Sequence, residues 1–116
     1  MIQVYKETVR GDGVDWSFII TLSGVPYDIT GCDFLACAKK RLTDPDSQAV
    51  VGTANLPVTI SDAVGGVIDV RIDPAIVDQV PPGHYYIDVN METPTGDVVT
   101  PIRVMWEVLA DVLRIR

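Results

Sequence analysis

The sequence holds one histidine, His84, and two cysteines, Cys32 and Cys37, in 116 residues. Zinc sites need Cys and His at ligand spacing, and these three residues do not supply it. A single histidine could serve a nucleophilic triad, but no motif places Ser and Asp partners around it. His84 therefore reads as a surface structural residue, and no catalytic, metal or cofactor site is expected. Basic residues are also few. Nine Lys and Arg against sixteen Asp and Glu leave a net charge of −7, a field that repels phosphate backbones and anionic lipid. The one basic run, Lys39-Lys40-Arg41, reads as a solvated strand end rather than a nucleic-acid patch. No stretch approaches the ~20 apolar residues that span a bilayer. The opening Met1-Ile2-Gln3-Val4-Tyr5-Lys6 lacks the basic region and long apolar segment of a signal peptide. Neither nucleic acid nor membrane is an expected partner.

What is present is apolar side chain. Hydrophobic residues make up 47% and mean hydropathy is +0.25, which excludes a disordered acidic tail. A mass of 12.6 kDa suits one domain, residues 1–116, that hides roughly two-thirds of its unfolded surface. Few charges remain to cover so small a body, so some apolar surface is expected to face a neighbouring subunit in a homo-oligomer. Cys32 and Cys37 lie in a segment that reads as extended, where five residues at ~3.3 Å each separate them by roughly 16 Å. A disulfide needs Cα atoms within about 7 Å. Reduced thiols in a protein made in a cytoplasm are the expectation.

Apolar residues alternate with polar ones. Trp16, Phe18, Ile20 and Leu22 share one face, with Ile19 as the only break. Tyr85, Ile87, Val89 and Met91 form a second face, and Ile68, Val70 and Ile72 a third. Such period-two patterns argue half-buried antiparallel strands. Turn chemistry separates them: Gly11-Asp12-Gly13, Gly24-Val25-Pro26, Asp44-Pro45-Asp46-Ser47, Gly65-Gly66, Pro81-Pro82-Gly83 and Thr93-Pro94-Thr95-Gly96-Asp97. Strands are expected near 2–8, 15–23, 32–41, 48–60 (as two short ones), 67–72, 84–92 and 98–109, with a last one reaching Ile115. Asp73 to Val80 suits one helical turn before the diproline. The fold class is all-β: an antiparallel sandwich of about seven to nine short strands.

Candidate functional residues are sparse. The C-terminal segment is apolar on two sides, and an apolar edge strand needs cover, so Met105, Leu109 and Leu113 are candidate subunit contacts. Trp16, Tyr85 and Trp106 fall on apolar faces and read as core. Tyr27 and Tyr86 fall outside the core pattern and are candidate exposed aromatic contacts, as a glycan-binding module would use. Thirteen aspartates invite a calcium reading, but Asp44-Pro45-Asp46-Ser47 lacks the glycine and distal Glu of an EF-hand loop and suits a turn. Arg10-Gly11-Asp12 matches the integrin tripeptide, and serves equally as a turn between the first two strands.

The segment Pro82-Gly83-His84-Tyr85-Tyr86-Ile87-Asp88-Val89 resembles the tyrosine corner of Ig-like sandwiches, with Tyr85 as the tyrosine that bonds the backbone just upstream. Read in order, more motifs align. Arg10-Gly11-Asp12 precedes the strand with Trp16 and Phe18. Val25-Pro26-Tyr27-Asp28-Ile29-Thr30-Gly31 opens the strand at Cys32. Gly65-Gly66-Val67, Asp73-Pro74, Pro82 to Val89 and Gly96-Asp97 follow. Over about residues 8–116 this order is similar to the N-terminal domain of phage baseplate upper proteins and to small Ig-like phage virion proteins. The resemblance implies an Ig-like sandwich without catalysis, located in a virion and bound to other virion proteins. In such baseplate proteins a longer C-terminal part carries receptor-binding proteins, whereas this chain stops at Arg116. A tail, baseplate or neck component is the preferred reading. Capsid decoration on the phage head and a carbohydrate-binding host-adsorption module are the alternatives.

Overall fold

Strand alternation requires two sheets that bury their apolar faces against each other, and the computed structural model, which describes residues 1–111, has that Ig-like arrangement. Its strands are β1 (Ile2–Val9), β2 (Val14–Ile19), β3 (Thr21–Leu22), β4 (Val25–Pro26), β5 (Asp33–Lys39), β6 (Val58–Asp62), β7 (Val67–Ile72), β8 (Gly83–Glu92) and β9 (Val98–Leu109); a single helical turn, α1, spans Pro74–Val77. One sheet has the order β1-β9-β8-β5 and faces a second with the order β2-β7-β6, while β3 and β4 form a short hairpin. Ile102, Val104, Trp106, Val108, Ile87 and Val89 of the larger sheet pack against Val14, Ile68, Val70 and Ile72 of the smaller.

Trp106 ties these layers. Its buried ring meets Trp16 of the opposite sheet edge-on at 6.4 Å and lies 5.9 Å from Tyr85. Its indole N–H donates to the Thr8 hydroxyl of β1 at 2.9 Å, so burial leaves no orphaned donor. The tyrosine corner is present: the Tyr85 hydroxyl donates to the Pro81 carbonyl at 2.5 Å. That bond fixes the crossover from the smaller sheet through α1 to the start of β8. Burial raises the Tyr85 phenol pKa, keeping it a neutral donor.

Several expectations need correction. β1 runs parallel to β9, so the sandwich is not wholly antiparallel. This pairing places β9 between β1 and β8; the C-terminal strand is interior, not an edge, and its second apolar side lies on the outer face of the larger sheet. The expected strand 15–23 breaks after Ile19, because the Ile20 N–H turns to Gly66 O at 2.7 Å and its carbonyl accepts from Tyr27 N–H at 2.9 Å. Instead of two strands within 48–60, Asp46–Gln48 and Thr53–Asn55 form 3-10 turns, with one bridge between Ala38 and Val51, and only Val58–Asp62 is a strand. Pro45 and Pro57 explain this, since neither can donate to a ladder. β5 ends at Lys39, and the Asp44 carboxylate accepts from the Arg41 N–H to turn the chain. The last expected strand beyond Asp111, with Leu113 and Ile115, lies outside the described residues.

Gly66 adopts φ +72°, and a Cβ there would lie 2.5 Å from Tyr27 O and 2.8 Å from Ile20 O. Gly24, at φ +79°, has open space around it. Gly24→Ala is expected to cost about 1–2 kcal/mol from the left-handed backbone alone. Gly66→Ala should cost clearly more, because backbone oxygens cannot yield as side chains do. Chemical denaturation of both variants checks this, with the larger midpoint loss at Gly66.

Candidate interaction surface

The strand directions give the domain two unlike ends along its 45 Å long axis. At one end lie the β3–β4 hairpin, the β6–β7 turn, the β8–β9 turn, the start of β5 and Met1. At the other lie the turn after β1, the residues following Lys39, and α1 with the chain leading to β8. We refer to these as the hairpin end and the Lys40 end.

Backbone bonds build the hairpin end. Ile20 N–H to Gly66 O, Tyr27 N–H to Ile20 O and Ile29 N–H to Ala63 O knit the β3–β4 segment to the β6–β7 turn. The Asp62 carboxylate accepts from Gly65 N–H and closes that turn. With their polar groups satisfied locally, these turns direct apolar side chains to solvent. Met1, Leu22, Val25, Leu35, Val64 and Val98 are 63–73% exposed, the six most exposed large apolar side chains among the described residues. Five belong to the hairpin end, and Leu35 sits on β5 two residues from it. A groove of about 360 Å³ runs across this end, lined by Ile20, Leu22, Tyr27, Met91, Val99 and Pro101 among others. Exposed apolar surface concentrated in one place marks an interaction site.

The hairpin end is also acidic. Segments 20–33, 62–66 and 92–98 carry Asp28, Asp33, Asp62, Glu92 and Asp97 without a Lys or Arg, and all five acids are exposed. The Asp28 carboxylate accepts from the Thr30 hydroxyl at 2.6 Å and the Thr30 N–H at 3.0 Å. These bonds, the hydroxyl first, hold its pKa below the ordinary carboxylate value. At the opposite end exposed Lys40 and Arg41 stand beside Lys39 and share that end with Asp12, Asp44, Asp46, Asp73 and Asp78. The Lys39 ammonium contacts the Asp46 carboxylate at 2.5 Å, which raises its pKa.

The sequence-predicted residues divide between surfaces. Tyr27 lines the groove and also packs on the core, so it is half-buried rather than exposed. Tyr86 is half-buried too, on the outer face of the larger sheet, where Met105 lies across from it and from Tyr5. Leu109 shares that face further along, paired with Val9. Met105, Leu109 and Tyr86 thus come together, whereas Tyr27 does not join them. The same face carries the bidentate Arg103–Asp88 pair, at 2.7 and 3.0 Å, which raises the Arg103 pKa. It also carries Tyr5, which bonds both Glu7 and Glu107; the Glu107 bond is the main cause holding its phenol pKa far above the usual range. His84 is exposed on this face, its Nε2 3.7 Å from Glu107.

Other candidates have local roles. Arg10 donates to the Asp78 carbonyl at 2.9 Å, and Asp12 N–H bonds Val9 O, so Arg10-Gly11-Asp12 is a turn tied to the chain after α1. Asp44 and Asp46 serve Arg41 and Lys39. Among the described residues no cluster of three or more His, Cys, Asp or Glu has metal-site geometry. Cys32 is buried and Cys37 half-buried, both as free thiols whose pKa values burial raises. Sequence reasoning missed Leu22, Val25, Val64 and Val98: alternation puts Leu22 on the apolar face of Trp16, Phe18 and Ile20, but the break after Ile19 turns it out to 63% exposure, and the signal at the other three was an apolar side chain next to a glycine-bearing turn.

No family model matches the sequence, and no curated protein is significantly similar to it. Among solved structures, the NK cell receptor Nkp44, described as a triggering partner in natural cytotoxicity, matches at 13% identity and a TM-score of 0.48, covering 94% of this chain and 100% of its own. A likeness of that size carries no argument about function.

Asp28 provides a titration test beside the groove. A depressed carboxylate contributes stability above its ordinary pKa and loses it as pH falls through the depressed value. Thr30→Val removes the hydroxyl donor while keeping the backbone one. The Asp28 carboxyl titration, followed by NMR, should move upward toward the ordinary aspartate value, and the acid limb of the stability curve should move to higher pH with it.

Proposed function

We propose that this domain is a non-enzymatic structural subunit of a bacteriophage particle, a tail, baseplate or neck component that binds other virion proteins. The observation that carries the reading is the hairpin end, where side chains from separate turns expose apolar surface around a groove. Such an end gains stability when a neighbouring protein covers it, at roughly 25 cal/mol per Å² of apolar area removed from water. The ordered motifs from Arg10 to Asp97 support the virion assignment, and the Ig-like sandwich is a rigid frame on which such contact loops sit. Assembly in a host cytoplasm fits the two free thiols.

Immunogold electron microscopy on phage particles from the source culture, with antibody raised to this chain, tests the assignment. Label confined to tails is expected. Label on heads would replace the tail reading with capsid decoration, and particles without label would overturn the virion reading.

A further inference from the structure

We infer that residues 112–116 of one copy add as a short strand to the groove at the hairpin end of another. The inference rests on the building-block reading above and deepens it by naming the segment that fills the groove.

The groove has an open strand edge as well as apolar walls. β1 begins at Ile2, which pairs with Ile102, whereas β9 already begins at Val98. Among the described residues, 98–101 therefore have β8 on one side and no strand on the other. Val99, Thr100 and Pro101 of that stretch line the groove together with Ile20, Leu22 and Tyr27. An open edge beside apolar side chains takes an extended segment, whose backbone completes the ladder and whose alternate side chains enter the groove. Charge narrows the choice. The segments that build the hairpin end carry five exposed acids and no Lys or Arg, and the end stays acidic with an amino group at Met1 counted. Its occupant must bring cations among apolar side chains.

Residues 112–116 have that pattern. They read Val112-Leu113-Arg114-Ile115-Arg116, and both charged side chains are basic. Added as a strand, the segment sets Leu113 and Ile115 on one face and Arg114 and Arg116 on the other. The apolar pair then suits the groove and the arginines suit its acidic surroundings. The folded surface at the Lys40 end does not offer this chemistry, because Lys39, Lys40 and Arg41 share it with Asp12, Asp44, Asp46, Asp73 and Asp78.

The segment cannot fill the groove of its own copy. β9 runs away from the groove, and Leu109 stands eight residues beyond Pro101, roughly 26 Å at ~3.3 Å per residue. Val112 follows Leu109 by three residues and so reaches at most about 11 Å from it. A second copy is the source. Each copy offers one segment and one groove, so two copies lying antiparallel can exchange segments in a closed dimer. Otherwise the contact repeats into a ring or a filament. Because the attraction includes exposed charges, salt should weaken it.

The test uses the purified full chain and two variants, each first shown by circular dichroism melting to remain folded. Leu22→Lys, or Val99→Lys should the first not fold, spoils the groove. The double change Arg114→Glu with Arg116→Glu spoils the segment. In sedimentation velocity from micromolar to near-millimolar concentration, the wild-type chain is expected to form dimers or larger species. Raising the salt from about 0.05 to about 0.5 M should weaken that association several-fold. Each variant alone should be monomeric, yet an equimolar mixture should give one 1:1 dimer and nothing larger, since one intact groove and one intact segment remain. With the segment variant labelled with nitrogen-15, the mixture should shift its amide signals at residues 20–27 and 97–99. A monomeric wild-type chain overturns the inference. So does a segment variant that still associates alone, a mixture that stays monomeric, or shifts confined to the β5 and β6 edges. Particle labelling reads the virion assignment separately: association without label removes only the virion setting, and label without association removes only this contact.

Discussion

Trp106 is the side chain on which the architecture depends. It is nearly fully buried, meets Trp16 across the sandwich, leans on Tyr85 beside it, and gives its one N–H to Thr8 of the first strand. A ring of this size fits only where both sheets and β1 are in place together. Its single polar atom is satisfied only when β1 runs parallel to β9 in the observed register, which sets Lys6 against Trp106 and Thr8 against Val108. The ring thus sets the position of the first strand and holds β9 in the interior. The Tyr85–Pro81 bond beside it anchors the crossover from the other sheet. Core shape and chain topology are joined in one cluster.

The aromatic rings of that cluster come from β2, β8 and β9, and at the hairpin end Ile20, Ile29 and Cys32 turn inward to extend the core beyond the strands. At the hairpin end the turns bond mainly to each other through Ile20, Tyr27, Ala63 and Gly66, which leaves Leu22, Val25 and Val64 turned outward. Their exposure is a cost in an isolated domain and an asset in an assembled one. The outer face of the larger sheet is different. Its Tyr5–Met105–Tyr86 row is bordered by charged and hydrogen-bonded groups such as Arg103–Asp88 and Glu7, so it presents a mixed surface rather than an apolar one.

Much of the fold could be read from the sequence, because period-two alternation over Trp16–Ile20, Ile68–Ile72 and Tyr85–Met91 is a local signal of burial on one side. Tyr85 was legible for the same reason, sitting on the apolar parity just after Pro82-Gly83. The parallel partnership of β1 with β9 was not, since it joins residues about a hundred positions apart and leaves no local trace; β9 therefore read as an edge. The part of 48–60 before Pro57 misled because Val50 and Val51 resemble strand residues, while the prolines flanking its turns govern the backbone; Val58 and Ile60 do lie in a strand. The hairpin end was hidden for a related reason. Its apolar residues come from separate hairpins, turns and strand ends, and only the tertiary arrangement collects them. Tyr27 was singled out as a contact, but for exposure that it only half has.

Amide hydrogen exchange of the full chain, compared between dilute and concentrated solution, tests the central claim most directly. The account predicts that added protection on concentration appears at residues 20–27 and 97–99, with the rest of the sandwich unchanged. Protection confined to the β5 and β6 edges, or to the Tyr5–Met105–Tyr86 face, would contradict it.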